Sequence, residues 1–180
     1  FPDKMYTISR MTSLSSHLSI YFKYYINKLL EDQKENITVI FSGGDDAFLI
    51  GTFKDILRFS KNIYESFQKY TLGKITLSAG IGLFPEKYPI YKIATFMEDL
   101  LLEAKSVKDK NSVAIFDTSQ VFKWNEFFDA FVGEKSLLKL IECNIESDLI
   151  SQTMLYNSIY NPLKNIQQDD KKTLYKFAYM

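Results

Sequence analysis

The sequence predicts an α+β fold followed by a small helical region. Three observations carry that expectation. Apolar residues recur every three or four positions over long stretches, short apolar runs rich in Ile, Val, Thr and Phe lie between them, and glycines mark places where one pattern gives way to the other. Helices interleaved with a mixed sheet imply an α+β sandwich. With 180 residues, 46% of them hydrophobic and 16% aromatic, the chain is long enough to bury a core of ordinary size.

Ile8, Met11, Leu14, Leu18, Tyr21, Phe22, Tyr25, Ile26 and Leu29 define one long amphipathic helix, with Ser9, Ser13, Ser16, Lys23 and Asn27 off its main stripe. The polar stretch Glu31 to Asn36 ends it. Ile37 to Phe41 and Ala47 to Gly51 read as two strands around Ser42-Gly-Gly-Asp-Asp46, whose glycines suit a tight hairpin turn. Phe53, Ile56, Leu57, Ile63, Phe67 and Tyr70 form a second amphipathic helix ending at Gly73. Ile75 to Gly82 reads as a strand with one apolar face and one face of Thr76, Ser78, Gly80 and Gly82. A face so small lets something pack close to the backbone, and room for a nucleotide is expected there. Two prolines mark the loop Phe84 to Pro89; a helix then runs from about Ile90 to Val107, and a strand follows at Ser112 to Phe116. From Trp124 onward the pattern is helical, so a domain boundary is expected near residue 120: residues 1–120 as one domain, 121–180 as the other. A strand ahead of the first helix would complete a β-α-β-β-α-β ferredoxin-like unit. The opening Phe1-Pro-Asp-Lys4 resembles neither a translation start nor a signal peptide. Both points lead to the expectation that the chain is a fragment lacking the first, central strand of its sheet.

Composition narrows the function. Lys+Arg and Asp+Glu both total 22, which argues against nucleic-acid binding by bulk charge. No run approaches the roughly 18 apolar residues of a membrane span, so no membrane association is expected. One cysteine excludes an intramolecular disulfide, and one histidine excludes sites built on clustered histidines. A reduced, cytoplasmic setting fits. Cys143 reads as a small buried hydrophobe, His17 as structural or solvent-facing, and Trp124 with Phe127, Phe128 and Phe131 as a packing cluster.

The chemistry concentrates at Asp45 and Asp46. Two adjacent carboxylates repel each other, which a turn does not require; a divalent cation relieves that repulsion, and magnesium takes one or two carboxylates together with substrate phosphates. A solvated turn remains the plain alternative. Glu103-Ala-Lys105 closes the third helix, with Lys108, Lys110 and Asn111 beyond it, and lysines there could meet phosphate oxygens or simply favour the helix dipole. Ser13 and Ser16 read as helix-surface serines, or as contacts to a base if the first helix borders the pocket.

Ser42-Gly-Gly-Asp-Asp46, Leu77-Ser-Ala-Gly-Ile81 and Glu103-Ala-Lys105 leading to Asn111 together resemble the palm of nucleotide cyclases. Diguanylate cyclases share the layout, but Asp46-Ala47 stands here in place of their Glu-Phe. The GGDD form is similar to the large, polymerase/cyclase-like subunit of type III CRISPR effector complexes, subtype A in particular, as are Ile8-Ser-Arg10 and Phe84 to Ile90. The resemblance covers residues 7 to 120 well and the tail more loosely. It implies a ferredoxin-like palm that converts ATP into cyclic oligoadenylates when target RNA is bound. It further implies magnesium or manganese held by Asp45 and Asp46, nucleotide contacts from Ser42, Gly43, Gly44 and Lys105, and partners in the other subunits, guide RNA and target RNA. The family's remaining metal carboxylate lies before the first helix, and no His-Asp nuclease pair occurs here. A catalytically decayed palm serving as a scaffold for RNA and protein, or a diguanylate-cyclase-like enzyme, stands as the alternative.

Overall fold

A computed structural model describes residues 7–33, 36–85 and 87–134, together with Ser136 and Lys139. Cys143 and the helical tail expected beyond it lie outside the described residues. The elements run α1 (Ile8–Ile20), a π-helical turn (Tyr21–Tyr25), α2 (Ile26–Gln33), β1 (Ile37–Gly43), β2 (Asp46–Gly51), α3 (Phe53–Thr71), β3 (Ala79–Ile81), α4 (Ile90–Ser106), β4 (Ser112–Ile115), β5 (Val121–Lys123) and α5 (Trp124–Phe127), with a second π-helical turn at Phe128–Val132. The fold is mixed α+β, as the sequence implies. The chain divides at Lys74/Ile75 into two compact units.

In the first unit, α1, the π turn and α2 form one continuous helical stretch. The Ile26 N–H reaches back five residues to the Tyr21 carbonyl, which is the widened spacing of a π-bulge. Tyr21, Phe22 and Ile26 are buried there, with Leu57, Phe59 and Phe67 from α3. The Tyr21 ring meets Phe67 edge-on at 5.2 Å and stacks on Tyr25 at 5.3 Å. Such pairs add roughly 0.5–1.5 kcal/mol each beyond area burial. α3 begins at Thr52, whose hydroxyl accepts the Asp55 N–H and donates to the Asp55 carboxylate at 2.7 Å. It ends through Leu72 (φ 54°) and Gly73 (φ 67°), both left-handed, with the Gly73 N–H on the Gln68 carbonyl. β1 and β2 pair antiparallel with a bulge between Val39 and Phe41.

In the second unit, β3 pairs parallel with β4, and β5 pairs antiparallel on the other side of β4. The four residues of β4 are fully buried. Leu100 and Ala104 of α4 pack on Ala114, flanked by Phe96, Met97 and Val121. The Trp124 indole N–H donates to the Leu77 carbonyl at 2.8 Å, and its ring meets Phe127 and Phe128. The aromatic cluster is thus a packing device, as expected.

Two expectations need correction. The strand expected over Ile75 to Gly82 shortens to β3. The small-residue face is not open space: a Cβ on Gly80 would stand 2.9 Å from the Leu100 Cβ and 3.2 Å from the Met97 carbonyl, and one on Gly82 would meet Phe84 and Met97. Gly80 and Gly82 are small where α4 and the following loop press against the strand. β5 (Val121–Lys123), which carries no strand signal in the sequence, pairs with β4 and extends the sheet. The described strands form two sheets, β1–β2 and β3–β4–β5.

Candidate functional site

Gly43 pairs with Asp46, so the hairpin turns through the two residues Gly44 and Asp45. Gly44 has φ 64°, and positive φ at the first loop position is the pattern of a II′ turn, whose twist matches that of the flanking strands. A Cβ there would meet nothing within 4 Å. Backbone conformation, not crowding, therefore requires the glycine. At Gly43 a Cβ would stand 3.7 Å from the Phe41 ring, an ordinary contact. Nothing inside the hairpin demands a glycine at 43.

Asp45 and Asp46 are both exposed at the tip. Ser42 is half-buried, and its hydroxyl donates to the Phe22 carbonyl in the π turn. Its proton is directed into the helix, so toward a ligand Ser42 offers an acceptor oxygen. The hairpin thus brings together five of the six residues singled out for nucleotide or metal. The sixth, Lys105, lies exposed in the last turn of α4, in the second unit.

The donor set fits a hard cation in part. Two carboxylates suit magnesium, which completes its shell with waters and phosphate oxygens. No group of three or more acidic, histidine or cysteine side chains that could hold a metal occurs among the described residues. The hairpin by itself is a partial cage.

Beyond Lys105 the chain makes a left-handed turn: Asp109, Lys110 and Asn111 have φ 67°, 51° and 52°. The Lys123 ammonium donates to the carbonyls of Lys108 and Lys110, each at 2.8 Å. Lys123 fixes the loop that presents the candidate phosphate-binding lysines. Sequence reasoning missed it, because nothing in a lysine fifteen residues on marks it as a strap. His17 is exposed, its Nδ1 paired with the Ser13 carbonyl and its own carbonyl accepting the Tyr70 hydroxyl. That is a structural role. Among the described residues no helix is long and apolar enough to cross a membrane.

A helix, a carboxylate-tipped hairpin and a second helix, followed by strands flanking a third, define a palm-type α+β protein. The chain belongs to the family Cas10/Cmr2, second palm domain, whose profile matches residues 2–114. It is similar to the subtype III-A CRISPR system single-strand-specific deoxyribonucleases Cas10/Csm1. The Mycobacterium tuberculosis protein is 40% identical over 144 residues, covering 73% of this chain and 18% of the relative. The Enterococcus italicus protein is 34% identical over 182 residues, covering 99% and 23%. The chain therefore spans about a fifth of these relatives. In fold it is similar to a chain of a Csm1–Csm4 cassette crystallised with cA4, with a TM-score of 0.62, 22% identity, and coverage of 98% of this chain and 29% of the other. A cassette crystallised with one ATP gives a TM-score of 0.60 at 22% identity, covering 93% and 30%.

Proposed function

We propose that this chain is the nucleotide-converting palm of a type III-A effector's large subunit, joining ATP into cyclic oligoadenylates when target RNA is bound to the assembled complex. The observation that carries the reading is the intact Gly43-Gly-Asp-Asp46 tip, with both carboxylates exposed on a II′ turn in a chain of the Cas10/Cmr2 palm family. A decayed site has no reason to keep two mutually repelling carboxylates at one turn. The Csm1–Csm4 cassettes crystallised with ATP, cA3 and cA4 add support, as likenesses of fold.

In this reading Asp45 and Asp46 hold magnesium or manganese, which when bound neutralises phosphate charge and acidifies a coordinated hydroxyl. Gly43 and Gly44 lie against the nucleotide. Ser42 contributes its oxygen as an acceptor, and Lys105 balances phosphate charge. A ribose hydroxyl displaces pyrophosphate from the α-phosphorus of a second ATP, and the protein's part is to position and neutralise. The finer topology belongs to the same proposal: helix, hairpin, helix and strand in this order are a ferredoxin-like β-α-β-β-α-β unit without its first strand. So does the division into a palm of residues 1–120 and a helical domain of 121–180, with β5 tying the start of the second to the palm's sheet. The other complex subunits, guide RNA and target RNA are the proposed partners, and the cytoplasm the proposed setting.

The test uses full-length protein in its complex with target RNA, given ATP or GTP, with products separated by chromatography. Asp45→Ala with Asp46→Ala is expected to abolish oligoadenylate formation while the complex still binds RNA. Lys105→Ala is expected to lower ATP use at least about tenfold, the loss of one charge-assisted contact. Parental product yield from the double variant would overturn the assignment.

A further inference from the structure

The loop after α4 turns through three consecutive left-handed residues, Asp109, Lys110 and Asn111, none of them glycine. A Cβ makes that conformation unfavourable, so such a run persists only where its surroundings hold it. Three sets of contacts do so here. The Lys110 N–H donates at 2.8 Å to the carbonyl of Val107, the residue that caps α4. The Ser112 hydroxyl donates to the Lys110 carbonyl at 2.8 Å. The Lys123 ammonium donates to the carbonyls of both Lys108 and Lys110, each at 2.8 Å. A hydrogen bond from an ionised donor is roughly twice as strong as a neutral one, so Lys123 is the principal tie.

Lys123 is itself well seated. It pairs in register with the fully buried Ser112 across β4 and β5, and its N–H donates to the Glu126 carboxylate at 3.1 Å. The next residue, Trp124, is buried with its indole N–H on the Leu77 carbonyl. A half-buried side chain rooted in a paired strand can set where a neighbouring loop stands. Bulk charge cannot do that work at this place. Over residues 103–111 the lysines 105, 108 and 110 stand against Glu103 and Asp109, an excess of only one. Which groups meet an anion therefore depends on how the segment is held. We infer that Lys123 is a positioning residue for ATP: its grip on the Lys108 and Lys110 carbonyls, passed through Lys110 to the Val107 cap, holds Lys105 and the loop lysines in the arrangement that meets the triphosphate. This rests on the proposed reading of Lys105 as a phosphate contact. Lys123 acts through the loop and not on the nucleotide, since its ammonium is committed to two carbonyls.

The test uses full-length protein in its complex with target RNA, assayed for ATP consumption across ATP concentrations, with hydrogen exchange of the same complex followed by mass spectrometry. Lys123→Met keeps most of the side chain's length and removes both hydrogen bonds. Amides within 107–111 are expected to exchange faster. KM for ATP is expected to rise at least about tenfold while kcat stays within about twofold, the pattern of lost substrate binding. A merely structural role would lower kcat through a smaller competent fraction and leave KM unchanged. Lys123→Arg, which keeps the charge and several donors, is expected to keep KM near the parental value. Where Lys123→Met does not assemble, Ser112→Ala takes its place: it removes only the hydroxyl on the Lys110 carbonyl, and is expected to move exchange and KM in the same directions by less. Unchanged exchange within 107–111, a fall in kcat at constant KM, or Lys123→Arg as impaired as Lys123→Met would each overturn the inference. Lys105→Ala separates it from the reading beneath it. A parental KM in that variant overturns both, whereas a raised KM there beside a parental KM in Lys123→Met overturns the inference alone.

Discussion

Tyr21 concentrates several roles in one side chain. It is fully buried, and its hydroxyl donates to the Ile63 carbonyl at 3.0 Å and pairs with the Ser66 hydroxyl at 2.6 Å. Burial pushes its pKa up to about 12, with the Ser66 hydrogen bond opposing that rise and Tyr25 adding to it. The folded state therefore keeps a proton that the unfolded chain releases near the ordinary value of 10. The associated stability is complete below pH 10 and is lost as pH rises toward 12, on the order of 2 kcal/mol. Tyr21→Phe removes this dependence. At neutral pH it should cost only about 1 kcal/mol, because Ser66 still donates to the Ile63 carbonyl. Urea unfolding at pH 8, 10 and 11.5 checks the expectation: the parent's midpoint should fall more steeply with pH than the variant's. Parallel slopes would mean that Tyr21 does not titrate as described. The candidate site residues were legible at this scale, since an Asp-Asp pair behind two glycines stands out in any sequence. The commitment of Ser42 to the Phe22 carbonyl was not, because it joins residues twenty positions apart.

At the scale of elements, the helix α4 and the strand β3 depend on one missing side chain. Gly80→Ala would force a methyl to 2.9 Å from the Leu100 Cβ, with backbone of Met97 and Leu101 just behind it. Backbone gives way poorly, so the variant should lose about 1–3 kcal/mol, seen as a lower thermal midpoint. An unchanged midpoint would show that α4 can shift at no cost. Amphipathic periodicity located α3 and α4 well, because one face of each must be buried. The ends of the short strands were less legible. β5 is three residues long, and β3 keeps only Ala79–Ile81 of the eight-residue pattern expected to be a strand. Strand identity depends on pairing with a distant partner, and a short segment carries little periodicity of its own. The π turn also escaped the reading, since its five residues keep the apolar spacing of an ordinary helix.

For the whole molecule, zero formal net charge and a sequence pI near 6.8 have a direct consequence. Chains near zero net charge associate readily, and α1 exposes Ile8, Met11 and Leu14 on successive turns with no buried residue of its own. Light scattering of the 180-residue chain across pH 6 to 9 should therefore show the greatest self-association near pH 7. Scattering should fall toward pH 9, where net negative charge separates the molecules. A flat profile would place the driving force in apolar surface alone.

The sequence by itself determined the α+β class, the three principal helices, the hairpin and its carboxylate tip. Each is encoded locally, in a periodicity, a turn residue or an adjacent pair of charges. The tertiary structure decided what those features do for one another. It filled the small-residue face of β3 with α4, turned the Ser42 proton into the π turn, and strapped the left-handed Asp109–Asn111 turn with Lys123. It also left a cleft between the helical stretch and β1, lined by Lys23, Lys28 and Val39 to Ser42. These are relations between residues far apart in the chain, and packing sets them through distances that no local pattern records.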